Sequence, residues 1–302
     1  MQNSSRMSFG HSNSWSILSA IEIGIKQKIE AVGVPLRDWN VSINRGILTG
    51  FNEAFIITGE KKDELVVADP KSAEIIRPIL RGKDIKRYGY EWAGLWLIAT
   101  FPSRHYNIDE YPTVKDHLLS FTKERLEQTG NKYVINGEKV SARKKTSNKW
   151  FETQDAISYW DDFSKPKIVW GEISDKPKFA IDVEGTFCPE ATTFLMTGSH
   201  LKYLLCFLNS TFSEYFFAKY GTTTGMGTLR WKKYLIELLP IPKPTADVEN
   251  HFEAALDDLL DADSKEETKR HIQRINHLVY LTIGLTQEEI NTVEKMVSEG
   301  AH

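Results

Sequence analysis

Three segments bunch cations closely enough to engage a polyanion. In Arg81-Gly82-Lys83-Asp84-Ile85-Lys86-Arg87-Tyr88, four cations fall within seven residues. Such side chains neutralise phosphates, or grip guanine edges when aimed into a major groove. The same stretch also reads as a solvated turn between a helix and a strand. The second segment, Gly137 to Trp150, carries Arg143, Lys144, Lys145 and Lys149 in a polar run next to Trp150 and Phe151. A flexible basic loop beside aromatics suits tracking along a DNA backbone, and a surface loop is the plainer alternative. In the third, Gly221-Thr222-Thr223-Thr224-Gly225-Met226-Gly227 precedes Arg230, Lys232 and Lys233. Glycines let a backbone approach a ligand closely, and threonines can touch phosphates or thymine methyls. A connecting loop would have a similar composition.

Other chemistries find less support. A methyltransferase acting on an exocyclic base amine needs an Asn/Asp-Pro-Pro-aromatic loop, and the chain has no Pro-Pro pair. Its only Gly-rich candidate for a cofactor turn, Gly221–Gly227, follows a helical pattern rather than a strand. A metal-dependent nuclease needs converging carboxylates and a lysine. Only the short triplets Asp69-Pro70-Lys71 and Asp84-Ile85-Lys86 hint at one. The histidines lack metal or triad spacing, and Cys188 and Cys206 stand outside any CxxC setting. No catalytic residue and no metal ligand is therefore expected. Both cysteines fit a reducing, cytoplasmic compartment. No stretch reaches the roughly 18–20 apolar residues of a membrane span, and the N-terminus lacks a signal pattern.

The elements that would position these segments divide the chain into three parts. Residues 13–33 predict an amphipathic helix, with Leu18, Ile21, Ile25, Ile29 and Val32 on one face, Ser14 at its start and Gly33 at its end. From Asp38 to about Pro244 the pattern is mixed. AFIIT (54–58), LWLIAT (95–100), KIVWGEI (167–173), KFAID (178–182) and TTFLM (192–196) predict strands. Asp69-Pro70 should open a short helix, and Tyr111–Thr129 and Ser199–Tyr220 predict helices, with Asn209-Ser210 as a joint in the second. Helices are expected at Val248–Leu260, Glu266–Ile283 and Leu285–Val297, the last with a Thr286/Glu289 capping box. The 302 residues carry a net charge of −3, unevenly spread. Asp247 to Glu299 holds 13 acidic and 5 basic residues, so its −8 leaves +5 on the rest. A mildly basic body thus carries an acidic helical tail.

Several blocks, taken in order, resemble one family. INRGILTGFNEAFII (43–57), PILRGKDIKRY (78–88), EYPTVKDHLLSF (110–121), KPKIVWGEIS (165–174), YLLCFLNSTFSEYFF (203–217), LPIP (239–242) and INHLVYLTIGLTQEEI (275–290) are similar to the TaqI-like C-terminal specificity domain of type IIG restriction–modification enzymes and related adenine methyltransferases. The likeness runs from about residue 14 to 297. Ile283 stands where the family usually has an aromatic, a conservative packing change. The loop at 137–149 matches no family block, and such variable loops are where target specificity would reside. Gly46, Gly50, Asn209 and Ser210 are expected to shape the fold rather than to touch bases.

The resulting expectation is an α+β (mixed) fold: a connector helix at 1–37, a DNA target-recognition domain at 38–244 and a helical tail at 245–302. The resemblance implies sequence-specific recognition of duplex DNA in a bacterial defence system. An N-terminal methyltransferase domain or subunit, absent from this chain, would be its partner. S-adenosylmethionine and magnesium would then belong to absent catalytic domains, with no cofactor, small-molecule substrate or membrane for this chain. Its DNA contacts would come from Arg81, Lys83, Lys86, Arg87, Arg143, Lys144, Lys145, Lys149, Thr222, Thr223, Thr224, Arg230, Lys232 and Lys233. Two other readings stay open: a bracing module that docks on a methyltransferase through its acidic helices, and a nuclease centred on Asp84 and Lys86.

Overall fold

The computed structural model describes residues 19–135, 137–220 and 229–300. At its centre is a four-stranded antiparallel sheet, in the order Phe179–Asp182, Lys167–Gly171, Thr193–Gly198, Val41–Arg45. Its inner strands are apolar at consecutive positions because both faces are covered. Ile168, Trp170, Phe179, Phe194 and Met196 enter one core, shared with helices. Val169, Ala180 and Leu195 enter a second core on the opposite face.

That second core is closed by another four-stranded sheet, in the order Cys188–Pro189, Ile76–Leu80, Leu95–Ile98, Ile56–Thr58. The first pair is parallel and the others antiparallel. The helices Leu201–Leu208 and Thr211–Tyr220 cover the other face of the central sheet. Outside them lie the tail helices Ala246–Leu260, Lys265–Ile283 and Gln287–Ser298. The fold is therefore mixed α+β. The Thr286/Glu289 capping box forms as expected, and Ile283 is buried at the family's aromatic position.

The N-terminal helix runs from Ala20 to Val32 and starts at Ser19, whose hydroxyl accepts from Glu22 N in a reciprocal capping box. The expected Ser14 cap lies outside the described residues. This helix is clamped into the helical layer at two points. Glu22 meets Lys219 at 2.7 Å and Lys28 meets Glu289 at 2.6 Å. Its Ile25 and Ile29 share a core with Val279, Ile283 and Val293 of the tail.

The structure corrects three local expectations. The predicted strand 54–58 begins only at Ile56, because Asn52–Phe55 forms a helical turn. The Thr49 hydroxyl fixes that turn by donating to Asn52 and accepting from Phe51 N. The predicted helix Tyr111–Thr129 breaks into Pro112–Leu119 and Lys123–Leu126. Thr122, at φ +67°, turns the chain so that Leu126 is buried. Finally, the polar run after Gly137 is not all loop. Glu138–Ser141 pairs with Lys132–Ile135 in a hairpin. Gly137, just before the second strand, has the positive φ of +83° that glycine adopts readily.

Candidate nucleic-acid interface

Two of the three basic segments meet at a groove of about 740 Å³ beside the ends of the central strands. One wall is the Gly82–Lys86 turn, with Lys83 and Lys86 exposed. The floor runs from Gly171 to Asp175, where the strand Lys167–Gly171 ends. The third segment reaches it because Arg230 pairs with Ile173 and Trp231 N donates to the Glu172 carbonyl at 2.8 Å. Trp231 is an anchor: its indole is buried against Phe179 and Phe217. Lys232 then comes within 3.9 Å of the Glu172 carboxylate. Lys233 sits beside the same region, with Nζ donating to the Ile43 carbonyl at 2.8 Å. Thr222, Thr223 and Thr224 lie outside the described residues.

The arginines of the first segment are used inside the protein. Arg81 grips Asp84 through Nε at 3.0 Å and a terminal nitrogen at 2.8 Å. Burial pushes the Asp84 carboxyl up, but hydrogen bonds from the Arg81 side chain and backbone outweigh it and hold the group below its usual range. Asp84 is thereby committed to the turn itself, as is its backbone N–H, which donates to the Arg81 carbonyl at 2.9 Å. Arg87 donates to the Asn209 carbonyl through two nitrogens, one at 3.0 Å. Asn209 in turn brackets the Phe179 backbone with its amide, at 3.0 and 2.8 Å. The Arg-Gly-x-Asp-Ile-x-Arg block is thus a brace that presents two lysines. The helix joint at Asn209-Ser210 holds the central sheet, as its structural reading expects.

The second segment folds elsewhere, and Arg143 is a correction. It is only 4% exposed. Its guanidinium donates to the carbonyls of Leu126, Thr49, Glu152 and Trp150 at 2.6–2.8 Å and lies 4.9 Å from the Phe55 ring centroid. Burial lowers its pKa to about 10. A buried side chain with four of its five donors spent on carbonyls is out of reach of DNA. Lys144, Lys145 and Lys149 are exposed around it. Lys149 borders a separate hollow of about 520 Å³ with Lys115, Lys123, Tyr106 and Trp150. Asp155 lies within charge range of both Lys144 and Arg45, so this surface adjoins the groove without being part of it.

The glycines named from the sequence act on the backbone. A Cβ at Gly46 would fall 2.1 Å from the Glu190 carbonyl oxygen, so only glycine permits the pairing of Ile47 with Glu190. Gly50 has φ +76°.

Sequence reasoning missed Arg45, Glu172 and Lys178, which line the groove. Arg45 closes the strand Val41–Arg45, and Glu172 interrupts the apolar run KIVWGEI. A lone carboxylate at a strand end was the available signal. A different buried charge, Lys167, is structural. It is paired with Asp182 at 2.6 Å with both groups essentially unexposed, and Asp182 also accepts from Thr186 and Phe187 N–H groups. Among the described residues no group of His, Cys, Asp and Glu could hold a metal ion, and no helix is long and apolar enough to cross a membrane.

Comparison with known proteins agrees with this architecture. A search of the curated proteins finds no match. Among solved structures, one similar chain is described as the type IIL restriction-modification enzyme MmeI in complex with DNA. It has a TM-score of 0.57 and 15% identity, over 87% of this chain and 36% of that one. Another is the type IIG restriction endonuclease BpuSI, at TM-score 0.49 and 13% identity, over 87% of this chain and 33% of that one. The chain thus spans about a third of the length of each. The model of the TaqI-like C-terminal specificity domain matches residues 77–241. That span holds the Gly82–Lys86 wall and the floor of the groove, the Arg143 brace and most of the two sheets, and the chain belongs to the family of TaqI-like C-terminal specificity domains.

Proposed function

We propose that this chain recognises a specific duplex DNA sequence, as the specificity domain of a type IIG restriction–modification enzyme that methylates adenine N6 and cuts DNA. The observation that carries the reading is the groove. Lys83 and Lys86 line it, and the sequence-distant segment with Arg230 and Lys232 joins its floor at Ile173 and Glu172, although the chain as a whole is acidic. Cations collected on one face are the electrostatic footprint of a nucleic-acid binder. The family supports it, and so does the DNA in the complex of the similar MmeI structure. Lys144, Lys145 and Lys149 would add phosphate contacts from the adjoining surface, as would Thr222, Thr223 and Thr224 from the segment before Arg230. A methyltransferase domain or subunit is the expected partner. S-adenosylmethionine and magnesium would serve that part, with catalysis outside this chain. Asp84, clamped by Arg81, gives the nuclease reading no open carboxylate.

The test is duplex binding by fluorescence anisotropy across a salt series with competitor DNA. Four phosphate contacts predict an affinity loss of about a hundredfold between 50 and 200 mM salt. A sequence-dependent component should survive competitor. Salt-insensitive binding, or equal binding to every duplex, contradicts the proposal.

A further inference from the structure

Within the groove, Glu172 is at odds with its surroundings. A carboxylate among phosphate-seeking cations weakens attraction to DNA, so charge neutralisation alone does not explain it. Its backbone is held firmly. The Glu172 N–H donates to the Thr192 carbonyl at 2.9 Å and its carbonyl accepts from Trp231 N at 2.8 Å, so both backbone groups are fixed by residues that flank neighbouring strands. The carboxylate lies 3.6 Å from an Arg45 terminal nitrogen and 3.9 Å from Lys232 Nζ. These separations balance its charge but exceed hydrogen-bond length. Among the described residues its side chain accepts no hydrogen bond, and it remains partly open to the groove. Asp175, the other acid there, is already bonded to Lys178 at 2.8 Å. Arg45 is anchored differently. Its Nε donates to the Ala191 carbonyl at 2.9 Å, which fixes the guanidinium plane and leaves the terminal nitrogens facing the groove.

Arg45 and Glu172 together present donors beside an acceptor. A G·C pair presents the complement in the major groove: guanine N7 and O6 accept, and cytosine N4 donates. We propose that Arg45 and Glu172 read one G·C pair, Arg45 on the guanine edge and Glu172 on the cytosine amine. This rests on the duplex-DNA reading above and adds which base pair the groove selects. A guanidinium already fixed by the Ala191 carbonyl and a carboxylate on an anchored backbone suit the task, since less ordering remains to be done on binding.

The experiment is selection from a randomised duplex pool with wild-type chain and with Glu172→Ala and Arg45→Ala, each variant checked for native thermal unfolding. The expected wild-type motif contains a fixed G·C pair. Glu172→Ala should relax that position by about tenfold or more in relative affinity, leaving the other positions and the salt slope unchanged. Arg45→Ala should relax the same position. Glu172→Gln, which adds an amide donor next to the acceptor, should relax it too. A motif with no G·C position, or one unchanged in both alanine variants, overturns the assignment while leaving DNA recognition standing. A wild-type chain that enriches no motif overturns both.

Discussion

The turn at 81–88 and the loop at 143–149 look alike as sequence, each carrying four cations, yet the fold uses them differently. In the loop, Arg143 is drawn inside to hold four carbonyls from three stretches of chain. In the turn, Arg81 and Arg87 bind Asp84 and Asn209 at the edge of the groove, and the lysines between them face outward. The difference follows from the side chains. A guanidinium offers five donors in a rigid plane and sheds water readily, so it can satisfy several carbonyls at once. An ammonium is more strongly hydrated and stays at the surface unless it is paired, as Lys167 is with Asp182. Counting cations therefore did not separate arginines bonded within the protein from lysines left at its surface.

The comparison is most easily broken at Arg143. Replacing it by alanine strands buried carbonyls and should cost about 3–5 kcal/mol in denaturant unfolding. Lys144→Ala, one residue on, should stay within about 0.5 kcal/mol. Similar small losses for both would mean that Arg143 is not the brace its hydrogen bonds indicate.

Asp84 sharpens the other side. Asp84→Asn removes one charge from the Arg81 pair and should cost about 1–3 kcal/mol at neutral pH. Because the folded carboxyl titrates below its unfolded value of about 3.9, the pair stabilises fully above that pH and is lost as pH falls through the lowered folded value. Acid unfolding of Asp84→Asn should therefore show a shallower loss below about pH 4 than wild type. An identical acid limb would exclude Asp84 as a contributor.

A smaller effect is expected where the N-terminal helix meets the end helix. Lys28 and Glu289 are partly exposed, and Lys28→Met should cost no more than about 1 kcal/mol. A loss of several kcal/mol would show that the whole helix detaches when that ion pair is removed.

Much of this arrangement was legible in the sequence. The apolar strand Lys167–Gly171 and the capped tail helices announced themselves through period and capping residues. Asn209, at a helix joint, has the bracing role expected of it. Breaks inside elements were harder. Thr122 and the Asn52–Phe55 turn depend on tertiary packing, which overrides local helix or strand preference. The site was half legible. Lys83, Lys86 and Lys232 stood out by clustering, whereas Arg45, Glu172 and Lys178 each stand apart in sequence and become neighbours only when four strands and a turn converge. The role of Arg143 was invisible, since nothing local distinguishes an arginine that faces solvent from one that collects carbonyls.

The claim that the groove lysines engage DNA is tested most directly by the salt dependence of duplex binding in two triple variants. Lys83→Ala/Lys86→Ala/Lys232→Ala should lower the log–log slope by roughly 0.9 for each phosphate no longer neutralised, nearly 3 in all. Lys144→Ala/Lys145→Ala/Lys149→Ala, on the adjoining surface, should lower it by less. An unchanged slope in the groove variant, or a larger fall in the loop variant, would contradict the account.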